Sequence, residues 1–167
     1  MASSPTGVPR VRTATTADLP RILEIERAAS TAAHWTEADY EIALVAAPPR
    51  RCILVVESAA SEGDFRVEGF LVARSGHPAE WEIENVVVAP TARRLGLGSA
   101  LLRAFLEQVR GSRLTNSGPM QVLLEVRESN LAARQLYEKS GFVLDKWRRG
   151  YYRDPEESAT LYHLIFQ

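Results

Sequence analysis

The feature that most restricts the fold of this chain is a short apolar run that ends at a proline and is followed by two glycines. Residues 86–89 are three valines and an alanine, Pro90 comes next, and Gly96 and Gly98 follow soon after. A continuous apolar run predicts a buried strand, which the proline ends. A strand, a glycine-containing turn and an amphipathic helix in this order predict half of a parallel crossover. The helix is indicated by an apolar stripe at Leu102, Phe105, Leu106 and Val109.

The start of this helix has the properties of an anion site. The first N–H groups of a helix have no partner within it and carry about half a positive charge between them. Glycines such as Gly96 and Gly98 let a phosphate approach the backbone without a Cβ in the way. The spacing excludes both the Rossmann fingerprint and the Walker loop. The residues alone leave two interpretations open: a pyrophosphate site, or a helix start whose glycines are incidental.

Periodicity along the rest of the chain predicts the order β-α-α-β-β-β-α-β-α-β-β, which makes a mixed α/β (α+β) sheet. Residues 81–126 are expected to form a right-handed parallel crossover, and the other strands antiparallel pairs. The central strand is expected to pass from half-exposed to buried, and the last two strands to flank a longer loop. The predicted strands cover residues 10–14, 52–57, 65–73, 81–89, 120–126, 142–147 and 160–166, and the predicted helices begin near residues 16, 35, 93 and 130.

Charge and cysteine content exclude several classes of protein. Lys plus Arg is 20 and Asp plus Glu is 21, so the basic excess of a nucleic-acid-binding protein is absent. No apolar stretch approaches the ~20 residues that span a bilayer. Cys52 is the single cysteine, and the three histidines lack metal-ligand spacing, so no metal is predicted. We expect a soluble cytoplasmic protein with a frayed tail at residues 1–8 and one domain at residues 9–167.

Several segments together resemble a known family. Residues 93–98, Arg-Arg-Leu-Gly-Leu-Gly, fit the Gln/Arg-x-x-Gly-x-Gly/Ala signature of the GNAT superfamily of acetyl-CoA-dependent N-acetyltransferases. Residues 124–130, followed by Ala133, Leu136, Tyr137, Gly141 and Phe142, look like its second hallmark segment. That string is similar to the RimI branch, which acetylates protein N-terminal amines. Trp35-Thr36-Glu37 and Arg148-Arg149-Gly150-Tyr151-Tyr152 also match this branch, so the resemblance begins at about Arg10 and covers nearly the whole chain.

The resemblance implies a single-domain GNAT fold, with a mostly antiparallel sheet whose central parallel strands splay apart around acetyl-CoA. It implies direct attack on acetyl-CoA, in a ternary complex, by the N-terminal α-amine of a protein or peptide. By similarity to RimI, that acceptor would be a ribosomal protein beginning with alanine, and the enzyme a monomer or homodimer. Two alternatives stay open: acetylation of a small-molecule amine or a lysine side chain, and a non-catalytic acetyl-CoA-binding module.

The resemblance also assigns roles to individual residues. Glu125 matches a proposed general base, and Tyr137 a tyrosine near the thioester sulfur. The acceptor would meet Trp35, Glu84, Tyr151 and Tyr152. Acetyl-CoA would be bound by the backbone of Val86, Val87 and Val88, by the pyrophosphate segment Arg93, Arg94, Leu95, Gly96, Leu97, Gly98 and Ser99, and by Asn130 and Tyr137.

The reaction requires an acid and a base. An N-terminal amine has a pKa of ~8, so most of it is charged at pH 7, and only the neutral form attacks a thioester. A carboxylate or a water chain must take its proton, and Glu125, Glu82 and Glu84 are the candidates. The tetrahedral oxyanion could be stabilised by a backbone N–H near Val87. The phenol of Tyr137 could protonate the departing thiolate.

Each assignment has a structural alternative. Glu125 could simply pair with Arg127 or Arg134, and Tyr137 could be a core aromatic. Asn130 could act mainly as a helix cap, Trp35 as plain core, and Arg148 and Arg149 as a solvated face. Cys52 is expected to be a core strand residue. Tyr151 and Tyr152 should point to opposite faces of a strand, so at most one of them would meet substrate.

Overall fold

Seven strands and four α-helices are present in the described part of the chain, in the order that the sequence predicts. The computed structural model describes residues 8–30, 32–45, 50–61, 64–112 and 118–167, without the side chains of residues 60 and 61. The expected tail therefore lies outside the described residues except for Val8. The elements are β1 Arg10–Thr13, α1 Leu19–Arg27, α2 Glu37–Leu44, β2 Arg50–Ser61, β3 Asp64–His77, β4 Glu80–Val88, α3 Leu97–Ser112, β5 Met120–Arg127, α4 Leu131–Lys139, β6 Val143–Arg153 and β7 Glu156–Phe166.

The strands form one mixed sheet in the spatial order β1-β2-β3-β4-β5-β7-β6. Its one parallel pair in the described residues is β4 with β5, and α3 makes the crossover between them. The other five neighbouring pairs are antiparallel. The predicted mostly antiparallel sheet with a central parallel pair is confirmed.

A β-bulge in β4 changes which helices its side chains meet. The Trp81 ring packs on Phe105 of α3, with 5.7 Å between ring centroids. Asn85, four residues later, donates instead to Glu26 of α1 at 2.9 Å. On a regular strand these two side chains would share a face. They do not, because β4 has one extra residue, Glu84, opposite β3.

The helices accordingly cover opposite faces of the sheet. Glu26 and Tyr40, from α1 and α2, meet Asn85 on one face. The stripe of α3 is buried on the other face, as predicted. Helix α4 lies on the α3 face, because its Tyr137 packs on Tyr162, which pairs with Leu124 of β5. The bulge turns Val86 and Val88 towards this second face.

Strands β4 and β5 separate immediately before the bulge. Their pairing covers Glu80–Ile83 on β4 and Gln121–Leu124 on β5. Beyond these residues, each strand pairs only with its outer neighbour within the described residues, β4 with β3 and β5 with β7. The backbone edges that face one another across this gap are therefore free of sheet hydrogen bonds, as expected for a splayed pair.

Three local predictions are wrong. The first helix was expected from residue 16, but Thr16–Asp18 form a 3-10 turn and α1 begins at Leu19. The Asp18 carboxylate binds Arg12 and the Thr15 N–H instead of capping α1.

The central strand was expected to become buried, yet its burial alternates to the end. Residues 153–159 were expected as a loop, but β6 and β7 continue to a turn at residues 154–155. Most β6 side chains are exposed, so its sequence lacks the apolar alternation of a half-buried strand.

No helix in the described ranges is long and apolar enough to cross a membrane. Those residues also contain no group of three or more His, Cys, Asp or Glu side chains that could hold a metal ion. Cys52 lies on β2, as expected for a strand residue, but it is only half-buried. Burial raises the pKa of its thiol to about 11, and its Sγ lies 3.4 Å from Oε1 of Gln108. The thiol therefore stays protonated at neutral pH.

Candidate active site at the separated strands

The turn between β4 and α3 is exposed and leaves backbone donors free. Arg94 and Gly96 adopt left-handed φ values of 62° and 76°. The N–H of Ala100 donates to the Gly96 carbonyl at 3.0 Å and begins the intrahelical series. The N–H groups of Leu97, Gly98 and Ser99 therefore precede that series and have no partner inside the helix. Helix α3 has 16 residues, so the positive end of its dipole lies at these amides.

Gly98 allows three elements to meet at this turn. A Cβ at Gly98 would lie 3.3 Å from Cδ2 of Leu136 on α4 and 3.8 Å from Cγ2 of Val88 on β4. The start of α3 thus fits closely between the strand and α4. The predicted cofactor residues Val86, Val88 and 93–99 gather here. Val87 is different, because its side chain is buried on the opposite face and its backbone pairs with Phe70 of β3.

Tyr137 offers a buried hydroxyl that the protein does not use. Its side chain is 6% exposed, and its ring packs on Phe142 and Tyr162. No hydrogen bond to the hydroxyl is formed by the described residues, although a buried tyrosine hydroxyl usually has a partner. Burial, reinforced by nearby Tyr152, raises the pKa of Tyr137 well above its ordinary range. The group is therefore a neutral, unengaged O–H donor.

Asn130 is the N-cap of α4, as predicted. Its Oδ1 accepts a hydrogen bond from the Ala133 N–H at 3.2 Å. The side-chain amide nitrogen makes no hydrogen bond within the described ranges, so the cap leaves it available. Gly141 ends the same helix with a φ of 93°, which is the expected C′ conformation.

Glu125 lies just beyond the last residue of β5 that pairs with β4, on the face opposite to Tyr137. Its side chain is 22% exposed, and Oε1 lies 2.8 Å from Nη1 of Arg148. The Tyr151 hydroxyl also interacts with this carboxylate, which raises the pKa of Tyr151. The alternative in which Glu125 pairs with Arg127 or Arg134 is not what the structure shows. Arg148, expected as a solvated side chain, is its partner.

Tyr151 and Tyr152 do not diverge as predicted. Their ring centroids are 5.2 Å apart and the ring planes are nearly perpendicular. The alternation fails because β6 is irregular here: from Arg148 to Tyr152 it advances four residues while β7 advances two. Gly150, inside this bulge, has a φ of 59°. Both tyrosines consequently lie near Glu125, whose charge contributes to a raised pKa in each.

The end of the β6–β7 hairpin is fixed by Arg127. Its guanidinium lies 4.1 Å from the centroid of the Tyr152 ring and 3.4 Å from the Glu157 carboxylate. Glu157 also accepts a hydrogen bond from the Ser129 N–H, just before α4. These contacts lower the pKa of Glu157, with Ser129 as the largest cause. The hairpin is therefore attached to the start of α4 through one carboxylate.

The other candidate carboxylates are also neutralised by arginines. Glu84 lies 3.0 Å from Arg51 and 3.3 Å from Arg74, and Glu82 pairs with Arg74. The Arg51 guanidinium is 5.5 Å from the centroid of the Trp35 ring. Trp35 and Glu84 are thus joined through Arg51, a residue that sequence reasoning missed.

Sequence reasoning also missed a buried polar network beneath the bulge. Glu26 is 2% exposed and accepts a hydrogen bond from Asn85. The Tyr40 hydroxyl interacts with the same carboxylate, and burial raises the pKa of Tyr40 above its ordinary range. One signal was available, because Glu26 falls four residues after Ile22 on the buried stripe of α1. The network attaches both N-terminal helices to the bulged part of β4.

The gap between β4 and β5 joins two different chemical surfaces. On the α3 face it offers unpartnered backbone N–H groups and the Tyr137 hydroxyl, which suit an anionic ligand with a leaving group to protonate. On the opposite face it offers Glu125 with two tyrosines, and Glu84 with Trp35 nearby. The predicted site residues therefore form two groups that meet at the gap and not one continuous cluster.

Comparisons with known proteins agree with this geometry. The family model described as Acetyltransferase (GNAT) family matches residues 19–142. The ribosomal protein bS18-alanine N-acetyltransferase of Escherichia coli strain K12 is 31% identical over 158 residues, covering 87% of this chain and 90% of that protein. An N-alpha-acetyltransferase of Sulfurisphaera tokodaii is 34% identical over 116 residues, which are 60% of this chain and 65% of that protein, slightly under two thirds of its length.

Solved structures give the same result. The crystal structure of the Escherichia coli ribosomal-protein-alanine N-acetyltransferase superposes with a TM-score of 0.75 at 27% identity, and the match covers 95% of this chain and 94% of that chain. Because it covers 95% of this chain, the match extends beyond residues 19–142, which the family model matches.

Proposed function

The chain belongs to the acetyltransferase (GNAT) family and is an acetyl-CoA-dependent N-acetyltransferase, and we propose that its acceptor is the N-terminal α-amine of a protein or peptide. The observation that carries the proposal is the pair of surfaces at the β4–β5 gap. One surface suits a pyrophosphate and a thioester, and the other suits a cationic amine. The relatives that match most of the chain, or are named for α-amine acetylation, support the choice of acceptor.

Acetyl-CoA is the second substrate, and it supplies the acetyl group as a thioester. The N–H groups of Leu97, Gly98 and Ser99 would bind its pyrophosphate, because they are free donors at a positive helix end. The exposed side chains of Arg93 and Arg94 would add positive charge beside it. The free edge of β4 at residues 86–88 would bind the pantetheine arm through its backbone. The spare amide of Asn130 would give one further contact.

Tyr137 is the proposed acid. Its raised pKa keeps the hydroxyl protonated at neutral pH. Because no described residue accepts a hydrogen bond from this hydroxyl, its proton is free for a developing thiolate. The Tyr137 side chain is enclosed by Phe142 and Tyr162, so the hydroxyl is pre-positioned and shielded from bulk water.

Glu125 is the proposed base, and Glu84 is the second candidate. Glu125 borders the gap and is contacted by a hydroxyl, that of Tyr151, from the presumed acceptor side. It can receive the proton of the amine directly or through a water. Glu84 lies on the same face but is held by two arginines, so its charge is more fully compensated. Trp35, Tyr151 and Tyr152 would surround the acceptor's first residues.

A ribosomal protein beginning with alanine is the acceptor that we propose from the Escherichia coli relative, which is named for that substrate. We also propose a cytoplasmic location on the same ground. The monomeric or homodimeric state stays a prediction.

A panel of three acceptors tests the proposal. The full chain is incubated with acetyl-CoA and a peptide that begins with alanine and contains one lysine, the same peptide with a formylated N-terminus, or spermidine. Thiol release gives the rate, and mass spectrometry locates the acetyl group. We expect turnover of the free peptide alone, with the acetyl group on the α-nitrogen.

Two results would contradict the proposal. Turnover of the formylated peptide, with the acetyl group of the free peptide on its lysine and not on the α-nitrogen, would show a lysine acetyltransferase, and turnover of spermidine alone would show a small-molecule acetyltransferase. Binding of acetyl-CoA by calorimetry without turnover of any amine would indicate a binding module.

A further inference from the structure

The ion pair between Glu125 and Arg148 lies where the proposed acceptor amine must arrive. Arg148 belongs to β6, an edge strand that pairs with β7 alone in the described sheet. Its guanidinium lies 2.8 Å from the Glu125 carboxylate and 5.3 Å from the centroid of the Tyr151 ring. A cation therefore already occupies the carboxylate and the aromatic ring that would receive a protonated amine.

We propose that Arg148 is an internal substitute for the acceptor's ammonium group, bound to Glu125 while the cleft is empty and displaced when a cationic amine enters. The proposal rests on the proposed function, since it assumes that Glu125 meets the acceptor. It makes Arg148 a positioning residue that also selects for charge. When Arg148 leaves, Glu125 loses a positively charged partner. An ammonium group can take its place, whereas a neutral acceptor cannot.

The surroundings of the two side chains make the exchange feasible. The Arg148 side chain is 48% exposed, whereas that of Glu125 is 22% exposed. The arginine can therefore swing into solvent while the carboxylate stays in place. An ion pair as exposed as this one contributes little free energy, so its displacement does not prevent binding. Tyr151 also interacts with the carboxylate, and this second contact would hold Glu125 in place during the exchange.

The adjacent residue provides a matched control. Arg149 has the same charge and is exposed on the same strand, but within the described residues the ion pair with Glu125 is made by Arg148. Neutralising Arg149 changes the net charge of the hairpin by the same amount as neutralising Arg148. A difference between the two variants therefore reports the pairing with Glu125 and not the general field.

Steady-state kinetics of R148Q, R148K and R149Q test the proposal, with the alanine peptide as acceptor. For R148Q we expect the peptide KM to fall about 5-fold, which is ~1 kcal/mol at 1.4 kcal/mol per tenfold. The acetyl-CoA KM should stay within about twofold, as expected for a substitution confined to an exposed ion pair. R148K should give a smaller decrease, because lysine keeps the charge but lacks the planar group that stacks on Tyr151. R149Q should match the wild type.

Other results would overturn the proposal. A higher peptide KM in R148Q would show that Arg148 binds the acceptor itself. An unchanged peptide KM would show that the ion pair is irrelevant to entry. Parallel losses for both substrates, with a lower melting temperature, would show a structural role. R148K keeps a cation at this position, so it gives the same test if R148Q does not fold.

A binding measurement separates this proposal from the proposed function. Alaninamide is titrated into the coenzyme A complex of each variant, which has no acetyl group to transfer, and the NMR resonances of the Tyr151 ring are followed. Tighter binding to R148Q than to R149Q, with no response to N-acetylalaninamide, supports displacement even if no peptide is acetylated. Equal binding to both variants contradicts it, whatever the peptide panel shows.

Discussion

On the α3 face of the gap, the groups available to a ligand are the backbone amides at the start of α3 and the Tyr137 hydroxyl, which have no hydrogen-bond partner among the described residues. On the opposite face, here called the hairpin face because Arg148 and Tyr151 of the β6–β7 hairpin lie on it, the available groups are carboxylates. Each of the three, Glu82, Glu84 and Glu125, is bound by an arginine. The α3 face therefore offers free hydrogen-bond donors that suit an anionic ligand. The second face already contains the cations that a substrate amine must replace or join.

This difference indicates how each substrate binds. Acetyl-CoA would bind the α3 face by completing unsatisfied donors, with little rearrangement of the protein. The acceptor would bind the hairpin face by exchange of ion partners. Substitutions on the two faces should therefore have different effects. Those on the α3 face should change the affinity for acetyl-CoA, and those on the hairpin face should change the KM for the acceptor.

The largest effect is expected from Gly98→Glu, on the affinity for acetyl-CoA. The new side chain would meet Leu136 and Val88 and place a negative charge among the amides that are meant to bind pyrophosphate. We expect acetyl-CoA to bind at least ~100-fold more weakly, which is ~2.7 kcal/mol. Calorimetry measures the dissociation constant of acetyl-CoA. Gly111→Glu, at the other end of α3 and with open space around its Cβ, is the control. Equal affinity in both variants would remove the phosphate site from the α3 face.

Tyr137→Phe should affect catalysis and leave binding intact. Removing a proton donor that acts in the transition state should lower kcat by ~100-fold, with an almost unchanged acetyl-CoA affinity. The melting temperature should also stay the same, because the hydroxyl has no hydrogen bond to lose. Tyr162→Phe is the matched control, since its hydroxyl bonds to Arg134 and Glu138, and it should lower stability more than kcat. Wild-type turnover in Tyr137→Phe would assign the acid elsewhere.

Gly150→Ala should give a smaller effect, confined to the hairpin face. A Cβ at a φ of 59° costs about 1 kcal/mol. Relief of that strain would reshape the bulge that brings Tyr151 to Glu125, so the peptide KM should rise and the acetyl-CoA affinity should not change. Gly76→Ala in β3, with open space at its Cβ, should change neither. A loss of acetyl-CoA affinity in Gly150→Ala would show that the two faces are coupled.

The smallest expected effect is that of acid on the hairpin face. The pKa of Glu157 is lowered in the folded protein, so its stabilising contacts are complete above its ordinary pKa of ~4.3 and disappear as the pH falls through the lowered value. Hydrogen-exchange protection of β6 and β7 should then decrease before that of α3, by less than ~1 kcal/mol. Glu157→Gln should abolish the difference. If α3 lost hydrogen-exchange protection at the same pH and to the same extent as β6 and β7, the prediction would be wrong.

The element order and the α3 face were largely predictable from sequence. Pro90, the glycines and the apolar stripe of α3 act over a few neighbouring residues, so their consequences are local. The cap at Asn130 and the C′ glycine at Gly141 are equally local, and both were confirmed. The start of α1 was the exception, because the Asp18 carboxylate binds Arg12 of β1 and the Thr15 N–H and does not cap the helix.

The hairpin face was poorly predictable. Arg148, and not Arg127 or Arg134, pairs with Glu125. The bulge near Gly150 defeats the alternation that should have separated Tyr151 from Tyr152. The length of β6 and β7 was missed because exposed strands carry no apolar pattern. Each error concerns the pairing or the contacts of β6 with another strand, which a pattern along one strand does not encode.

The sequence by itself determined the succession of elements, the parallel crossover and the free amides at the start of α3, because periodicity, proline, glycine and helix ends depend on neighbouring residues alone. The tertiary structure decided which arginine neutralises which carboxylate and which face each side chain meets. Those outcomes depend on bulges and strand register, and one extra residue such as Glu84 inverts every side chain that follows it.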